Sequence, residues 1–275
     1  MTGPHLLLSA AAVSDIGPHR KSNQDSAFTA PWAAAVADGV GGGPAGDLAS
    51  AAFVHRLAAS GAPVPDGETL ATGIRTANWD LRAHVDRDPA LHGMATTFTG
   101  VFLSGRGSLL LAHTGDSRAY LLRGDRFAQQ TRDDSYVQAL VELGLVAQED
   151  AAQHPRRNVI TASLSGAEDD SAVVIESEAA PGDRWLLCSD GLSDYVPADA
   201  IAALATAGLD PHATAAAAVS VALEAGTRDN VTVVVADVVS SAPGADQGAG
   251  AGRLTGRPVF YGAASTRFQE ELDSA

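Results

Sequence analysis

Val36-Ala37-Asp38-Gly39-Val40-Gly41-Gly42-Gly43-Pro44-Ala45-Gly46-Asp47 is the stretch on which the fold turns. The apolar run Ala33 to Ala37 reads as a strand that stops on a carboxylate, and the glycines after it let backbone approach a ligand closely. Pro44 suits the first turn of a helix, where a missing N–H costs nothing. A helix over Ala45 to Ala59 is therefore predicted straight after the glycines. Strand, glycine loop and helix in one run place an acidic side chain at a strand end, outside the core.

Working outward, further strands are predicted over Leu6 to Ser14, Thr96 to Leu103, Leu109 to His113, Ala119 to Leu122, Ala172 to Glu176, Arg184 to Cys188 and Val231 to Val239. Two close pairs are joined by turns at Gly105-Arg106-Gly107 and Gly115-Asp116, which are too short for anything but antiparallel pairing. Helices are expected over Glu68 to Val85, Ser135 to Leu143, Asp199 to Ala207 and Pro211 to Ala225. Strands and helices come in blocks, so the class is α+β and not a regularly alternating parallel sheet. Residues 1–239 form the expected folded domain. Residues 240–252, rich in Ser, Ala, Gly and Pro, read as a flexible linker. Residues 253–275 read as a tail, disordered or docking, with a short helix at Thr266 to Leu272.

Of 275 residues, 45% are apolar and 19% charged, enough for a sizeable core. The 18 Lys and Arg against 33 Asp and Glu leave a net charge of −15, which repels nucleic acid phosphates and anionic membrane. Nucleic acid is therefore not an expected partner. No apolar run approaches the roughly 20 residues that cross a bilayer as a helix. The single cysteine, Cys188, precludes an intrachain disulfide and fits a reducing compartment, so the cytoplasm is expected.

Four regions carry acidic residues beside glycines or strand ends: Arg20 to Ser26, Val36 to Asp47, Gly115-Asp116-Ser117-Arg118, and Leu186 to Asp194 together with Gly226 to Thr232. Asp38, Asp190 and Asp229 each border an apolar strand. Oxygen ligands without His or Cys select Mg²⁺ or Mn²⁺ over zinc. Taken singly, Asp-Gly, Ser-Asp-Gly and Asp-Asn-Val are also common turns. His113 and His154 have no second His at ligand spacing and read as hydrogen-bonded structure.

In order along the chain, Arg20-x-x-Asn23-Gln24-Asp25, Asp38-Gly39-Val40-Gly41-Gly42, Thr96-Thr97, Gly115-Asp116-Ser117-Arg118, Ser189-Asp190-Gly191 and Asp229-Asn230 resemble the bacterial branch of the PPM family, the PP2C-type metal-dependent serine/threonine protein phosphatases. The resemblance spans nearly the whole domain. It implies an α-β-β-α sandwich of two antiparallel sheets flanked by helices, with two Mn²⁺ or Mg²⁺ ions in a cleft at one end. By that resemblance Asp38 bridges the two metals, Asp190 and Asp229 complete one of them, and the Gly39 carbonyl binds the other. Asp25 orients water, and Arg20 grips the substrate phosphate with its planar fork of donors. Asp116 resembles a ligand of a third metal, with Asp190 and either Asn158 or Asp194; read alone, it caps a hairpin and pairs with Arg118.

The implied activity is single-step hydrolysis of phosphoserine and phosphothreonine by hydroxide bridging two metals, reversing a cognate Ser/Thr kinase. The alternatives are a hydrolase of small phosphate esters and a non-catalytic phosphoprotein-binding relative. The segment from Thr131 to Arg157 corresponds to the family's variable flap. Val40 stands where eukaryotic members carry a His, which leaves the proton donor to the leaving group unassigned.

Overall fold

The computed structural model describes residues 5–40, 45–240 and 256–267. Two antiparallel sheets lie face to face. The first runs β1-β11-β10-β7-β8, with β1 Leu6–Asp15, β7 Arg118–Arg123, β8 Arg126–Gln129, β10 Arg184–Cys188 and β11 Val231–Ser240. The second runs β12-β2-β3-β5-β6-β9, with β2 Asp25–Ala30, β3 Ala33–Val40, β5 Phe98–Leu103, β6 Ser108–Thr114, β9 Val173–Glu178 and β12 Val259–Gly262; the short β4, Ala95–Thr96, pairs with the end of β3.

Alternation along the strands builds three cores. Ala34 and Val36 of β3, Val101 of β5 and Val234 and Ala236 of β11 point between the sheets. Their neighbours Ala33, Ala35 and Ala37 point the other way, onto α1 (Gly46–Ala58) and α2 (Gly67–Arg87). Val231, Val233 and Val235 point out of the other sheet, onto α4 (Asp190–Ser193), α5 (Ala198–Thr206) and α6 (Pro211–Glu224). Strands buried on both faces explain why β3 and β11 read as near-continuous apolar runs. The four-layer α-β-β-α sandwich agrees with the expected α+β class.

Capping and packing fix the element boundaries. The Asp66 side chain accepts from Thr69 N and Asp210 from Ala213 N, setting the starts of α2 and α6. The strand expected over Thr96 to Leu103 splits around Thr97, whose N–H turns to the Asp38 carbonyl, 2.8 Å away. β2 was not predicted from the sequence: Asp25–Ala30 has Phe28 as its one large apolar residue, and it is a strand because both its faces are covered. The short β8 at a sheet edge was likewise not predicted.

Packing does not stop near Val239. Residues 256–262 return to the second sheet, where β12 pairs with β2 from Val259↔Thr29 to Gly262↔Ser26, and a helical turn follows over 263–267. These residues fall within the tail expected from residue 253. The linker expected over 240–252, apart from Ser240, and residues 268–272 of the expected terminal helix lie outside the described residues, as do Gly41 to Pro44.

Candidate metal centre

At one end of the sandwich the two sheets bring acidic strand ends together. In the second sheet Asp25 opens β2 directly across from Asp38 near the end of β3, and Gly39 N donates to the Gln24 carbonyl at 3.1 Å. In the first sheet β10 runs into Ser189 and Asp190, and β11 starts just after Asp229 and Asn230. Ser189 joins the sheets: its Oγ donates to Asp25 Oδ2 at 2.7 Å and accepts from Thr232 N at 3.0 Å.

Gly39 is required by close approach. A Cβ on it would fall 2.2 Å from the carbonyl oxygen of Gly46, at the first turn of α1. The start of that helix therefore rests directly on the backbone that carries the Gly39 carbonyl.

Two asparagines fasten the loops, a role the sequence reading did not assign although both stood inside its motifs. Asn230 Oδ1 accepts from Gln24 N at 2.8 Å, while its Nδ2 donates to the carbonyls of Ile16 and Ser22. Asn23 Oδ1 accepts from Asp25 N, and its Nδ2 donates to Ser14 Oγ at 2.8 Å. Thr97 Oγ1 accepts from Asp38 N at 3.1 Å and bonds Ser117 Oγ at 2.8 Å. Asn23 also closes a turn onto Asp25 N, a local habit of Asn, but the distant bonds of both residues leave no such mark in the sequence.

The electrostatics are those of crowded like charges. Burial, followed by the charges of Asp25, Asp190, Asp116 and Asp229, pushes the Asp38 carboxyl well above the usual range. Asp190 is raised in the same way, by burial and then by Asp116, Asp229, Asp194 and Asp25. Burial lifts Asp25 to about 6 against the lowering effect of the Ser189 hydroxyl. Asp116 is lifted to about 7 by burial, then by Asp133 and Asp194. Asp25 Oδ1 and Asp190 Oδ1 are buried without a hydrogen-bond partner.

The expected residues therefore gather: Asp25, Asp38, Asp116, Asp190 and Asp229 share one field, with Gly39 beside Asp38. Among the described residues no three His, Cys, Asp or Glu side chains are drawn tightly enough to enclose an ion as they stand. Arg20 lies at the rim, its Nη2 donating to Asp229 Oδ2 at 2.5 Å and its Nε to the Arg228 carbonyl at 3.3 Å. The alternative pairing of Asp116 with Arg118 is not formed: the Arg118 fork grips Asp133, with Nη2 2.6 Å from Oδ2. Asp194 lies in the field of Asp190 and Asp116, and Arg157 Nε stands 3.4 Å from it, whereas Asn158 is exposed.

The flap is tied to this end. Asp134 Oδ2 accepts from Gly115 N at 3.1 Å, and Asp134 N donates to the Gly115 carbonyl at 2.7 Å. The helix expected over Ser135 to Leu143 is α3, Tyr136–Glu142. His113 Nε2 bonds the Arg132 carbonyl and His154 Nδ1 accepts from Arg156 N, so both rings have structural partners.

The family model for protein phosphatase 2C matches residues 19–222. The serine/threonine protein phosphatase PstP of Mycobacterium tuberculosis is 42% identical over 255 residues, which cover 91% of this chain and 49% of PstP. The chain thus spans about half the length of the first curated relatives it matches. The serine/threonine phosphatase stp of Listeria innocua is 32% identical over 212 residues, 74% of this chain and 82% of its own. Among solved structures, that of M. tuberculosis PstP/Ppp superposes with a TM-score of 0.80 at 40% identity, covering 85% of this chain and 99% of that one. The catalytic domain of PstP in complex with two manganese ions gives 0.78 at 40% identity, with the same coverage. With a family model over most of its length, the same sandwich and the motifs at one end of it, the chain belongs to the protein phosphatase 2C family.

Proposed function

We propose that the chain is a metal-dependent protein-serine/threonine phosphatase that hydrolyses phosphoserine and phosphothreonine with two Mn²⁺ or Mg²⁺ ions. One observation carries the reading: carboxylates from both sheets converge at one end of the sandwich, with two buried oxygens, Asp25 Oδ1 and Asp190 Oδ1, left without partners. An all-oxygen set of this kind fits hard divalent cations, which also remove the cost of crowding the charges.

Asp38, Asp190, Asp229 and the Gly39 carbonyl are the groups to hold the ions, with Asp116 and Asp194 beside them for a third. When bound, the cations supply an activated water and offset charge on the phosphoryl oxygens. Asp25, held by Ser189 through Oδ2, has Oδ1 free to accept a hydrogen bond from water and orient it. Arg20 at the rim keeps N–H donors beyond those spent on Asp229 and Arg228, and these can clamp a phosphate oxygen. Val40 supplies no proton to the leaving alkoxide, so that proton comes from elsewhere than this position.

Phosphorylated proteins are the proposed substrates and a Ser/Thr kinase the proposed counterpart. No helix among the described residues is long and apolar enough to cross a membrane. The buried free thiol of Cys188 fits a reducing compartment, and the cytoplasm is the proposed location. The direct test is hydrolysis of an aryl phosphate and of a phosphothreonine peptide with Mn²⁺ and with EDTA. Turnover of both with Mn²⁺ and of neither in chelator is expected. Activity that survives EDTA overturns the two-metal reading, and activity on the aryl ester alone points to small phosphate esters.

A further inference from the structure

Residues 256–267 lie beyond those matched by the family model, yet they touch the two strand ends on which the metal reading depends. β12 is short, and its outer face is partly open, so pairing alone holds it weakly. Its anchors lie elsewhere. The Phe260 ring packs on His55 of α1 with centroids 3.9 Å apart, and Ala263 and Ala264 are buried in the core between the second sheet and α1. His55 Nε2 bonds the Ala264 carbonyl at 2.9 Å.

Two contacts then reach the candidate centre from this segment. Gly262, at φ +64°, lies against Asp25: a Cβ on it would fall 2.2 Å from the Asp25 carbonyl oxygen and 2.9 Å from Ser14 Oγ. Ser14 is the same hydroxyl that accepts from Asn23, so this glycine sits beneath the Asn23-Gln24-Asp25 loop. Arg267 donates from Nη2 and Nε to Asp47 Oδ2 at 2.6 and 3.1 Å. Asp47 belongs to the first turn of α1, whose Gly46 rests on Gly39. One contact therefore bears on the Asp25 end and the other on the Gly39 end, and these two strand ends are hydrogen-bonded neighbours.

We propose that residues 256–267 are a clasp that positions the Asp25 and Gly39 strand ends for the two cations, with Gly262 and Arg267 as its positioning residues. The proposal rests on the metal reading above in taking those ends as the cation site. Without the clasp the start of α1 is free to move against Gly39, and β2 becomes an edge strand next to Asp25. Outer-shell supports of this kind set the geometry of ligands they do not join.

The test uses the full chain and reads Mn²⁺ binding by calorimetry, melting temperature in EDTA, and kcat with the half-saturating Mn²⁺ concentration. Arg267→Ala and Gly262→Val are each expected to weaken Mn²⁺ binding about tenfold while the EDTA form still melts cooperatively. Arg267→Lys recovers part of the loss. Asp47→Asn removes the opposite charge, so a clasp predicts weakening like that of Arg267→Ala, whereas a long-range charge effect predicts opposite signs and overturns the clasp. Unchanged Mn²⁺ affinity in folded Arg267→Ala also overturns it, whether or not Gly262→Val folds. A wild-type chain that binds Mn²⁺ but hydrolyses no phosphoester sinks the proposed function and leaves the clasp to be decided by calorimetry.

Discussion

Asp38 stands among Asp25, Asp190, Asp116 and Asp229, and each of these neighbours makes its ionisation harder. In chelator at neutral pH that carboxyl is a cost to the fold, whether it stays charged among like charges or takes up a proton that the unfolded chain would release. Asp38→Asn removes the cost while keeping the shape. The variant is expected to melt about 2–6 °C higher than wild type in EDTA, since about 1 kcal/mol moves a domain of this size by ~2–4 °C. It is also expected to lose turnover and most of the stabilisation that Mn²⁺ gives the wild type. A lower melting temperature in EDTA would show that Asp38 serves the fold, and a near wild-type rate would remove it from the centre. The opposite signs for stability and activity are the signature of a residue kept for its ligand.

At the scale of the element, the flap is held at its root by the two bonds between Asp134 and Gly115, next to Asp116. Asp134→Ala leaves Gly115 N without its acceptor and is expected to release the segment locally, by about 1 kcal/mol or roughly fivefold faster hydrogen exchange over residues 131–161. Exchange that rises equally across both sheets would mean that Asp134 supports the whole fold instead. How much of each element was legible depended on what covers it. β3, β10 and β11 announce themselves as apolar runs bordered by carboxylates. β2 was silent because its sequence, Asp25 to Ala30, has no alternation, and its strand character comes from partners on both edges and both faces. The site divided in the same way. Carboxylates at strand ends beside glycine could be read directly, and motif order gave them a chemistry. Ser189, Asn23 and Asn230 could not be assigned, because a fastener is defined by the distant loop it holds. β12 was missed for the same reason, since Val259 to Gly262 has no surface to form on until β2 and α1 are in place.

Across the whole molecule, the same crowding sets how stability follows pH. A carboxyl whose folded pKa is raised contributes stability that is fully present below its unfolded value and is lost as pH rises through the folded one. For Asp25, at about 6, and Asp116, at about 7, that window runs from about 4 to about 7, and Asp38 and Asp190 act in the same direction. Burial of His113 lowers its pKa and opposes this slope, as one ring against four carboxylates. Glu142, lowered from 4.5 to about 2 by Arg132, acts in the opposite direction and chiefly below about pH 5. With a net charge of −15 the general repulsion also grows toward neutral pH. The melting temperature in EDTA is therefore expected to fall between pH 5 and pH 7, and saturating Mn²⁺ is expected to abolish that fall. A melting temperature that climbs through this range in chelator would show that the carboxylates are not crowded. The first sheet carries a further consequence, for synthesis. Among the described residues β1 pairs with β11 alone, from Leu6↔Ser240 to Asp15↔Val231, so β1 is made long before its ladder partner. At about 5–20 residues per second, the ribosome holds β1 without its partner for roughly 10–50 s. The carboxylates of the second sheet can assemble in that interval, but Asp190 and Asp229 take their places only as β10 and β11 leave the exit tunnel, so the proposed metal centre can be completed only after β11 has emerged.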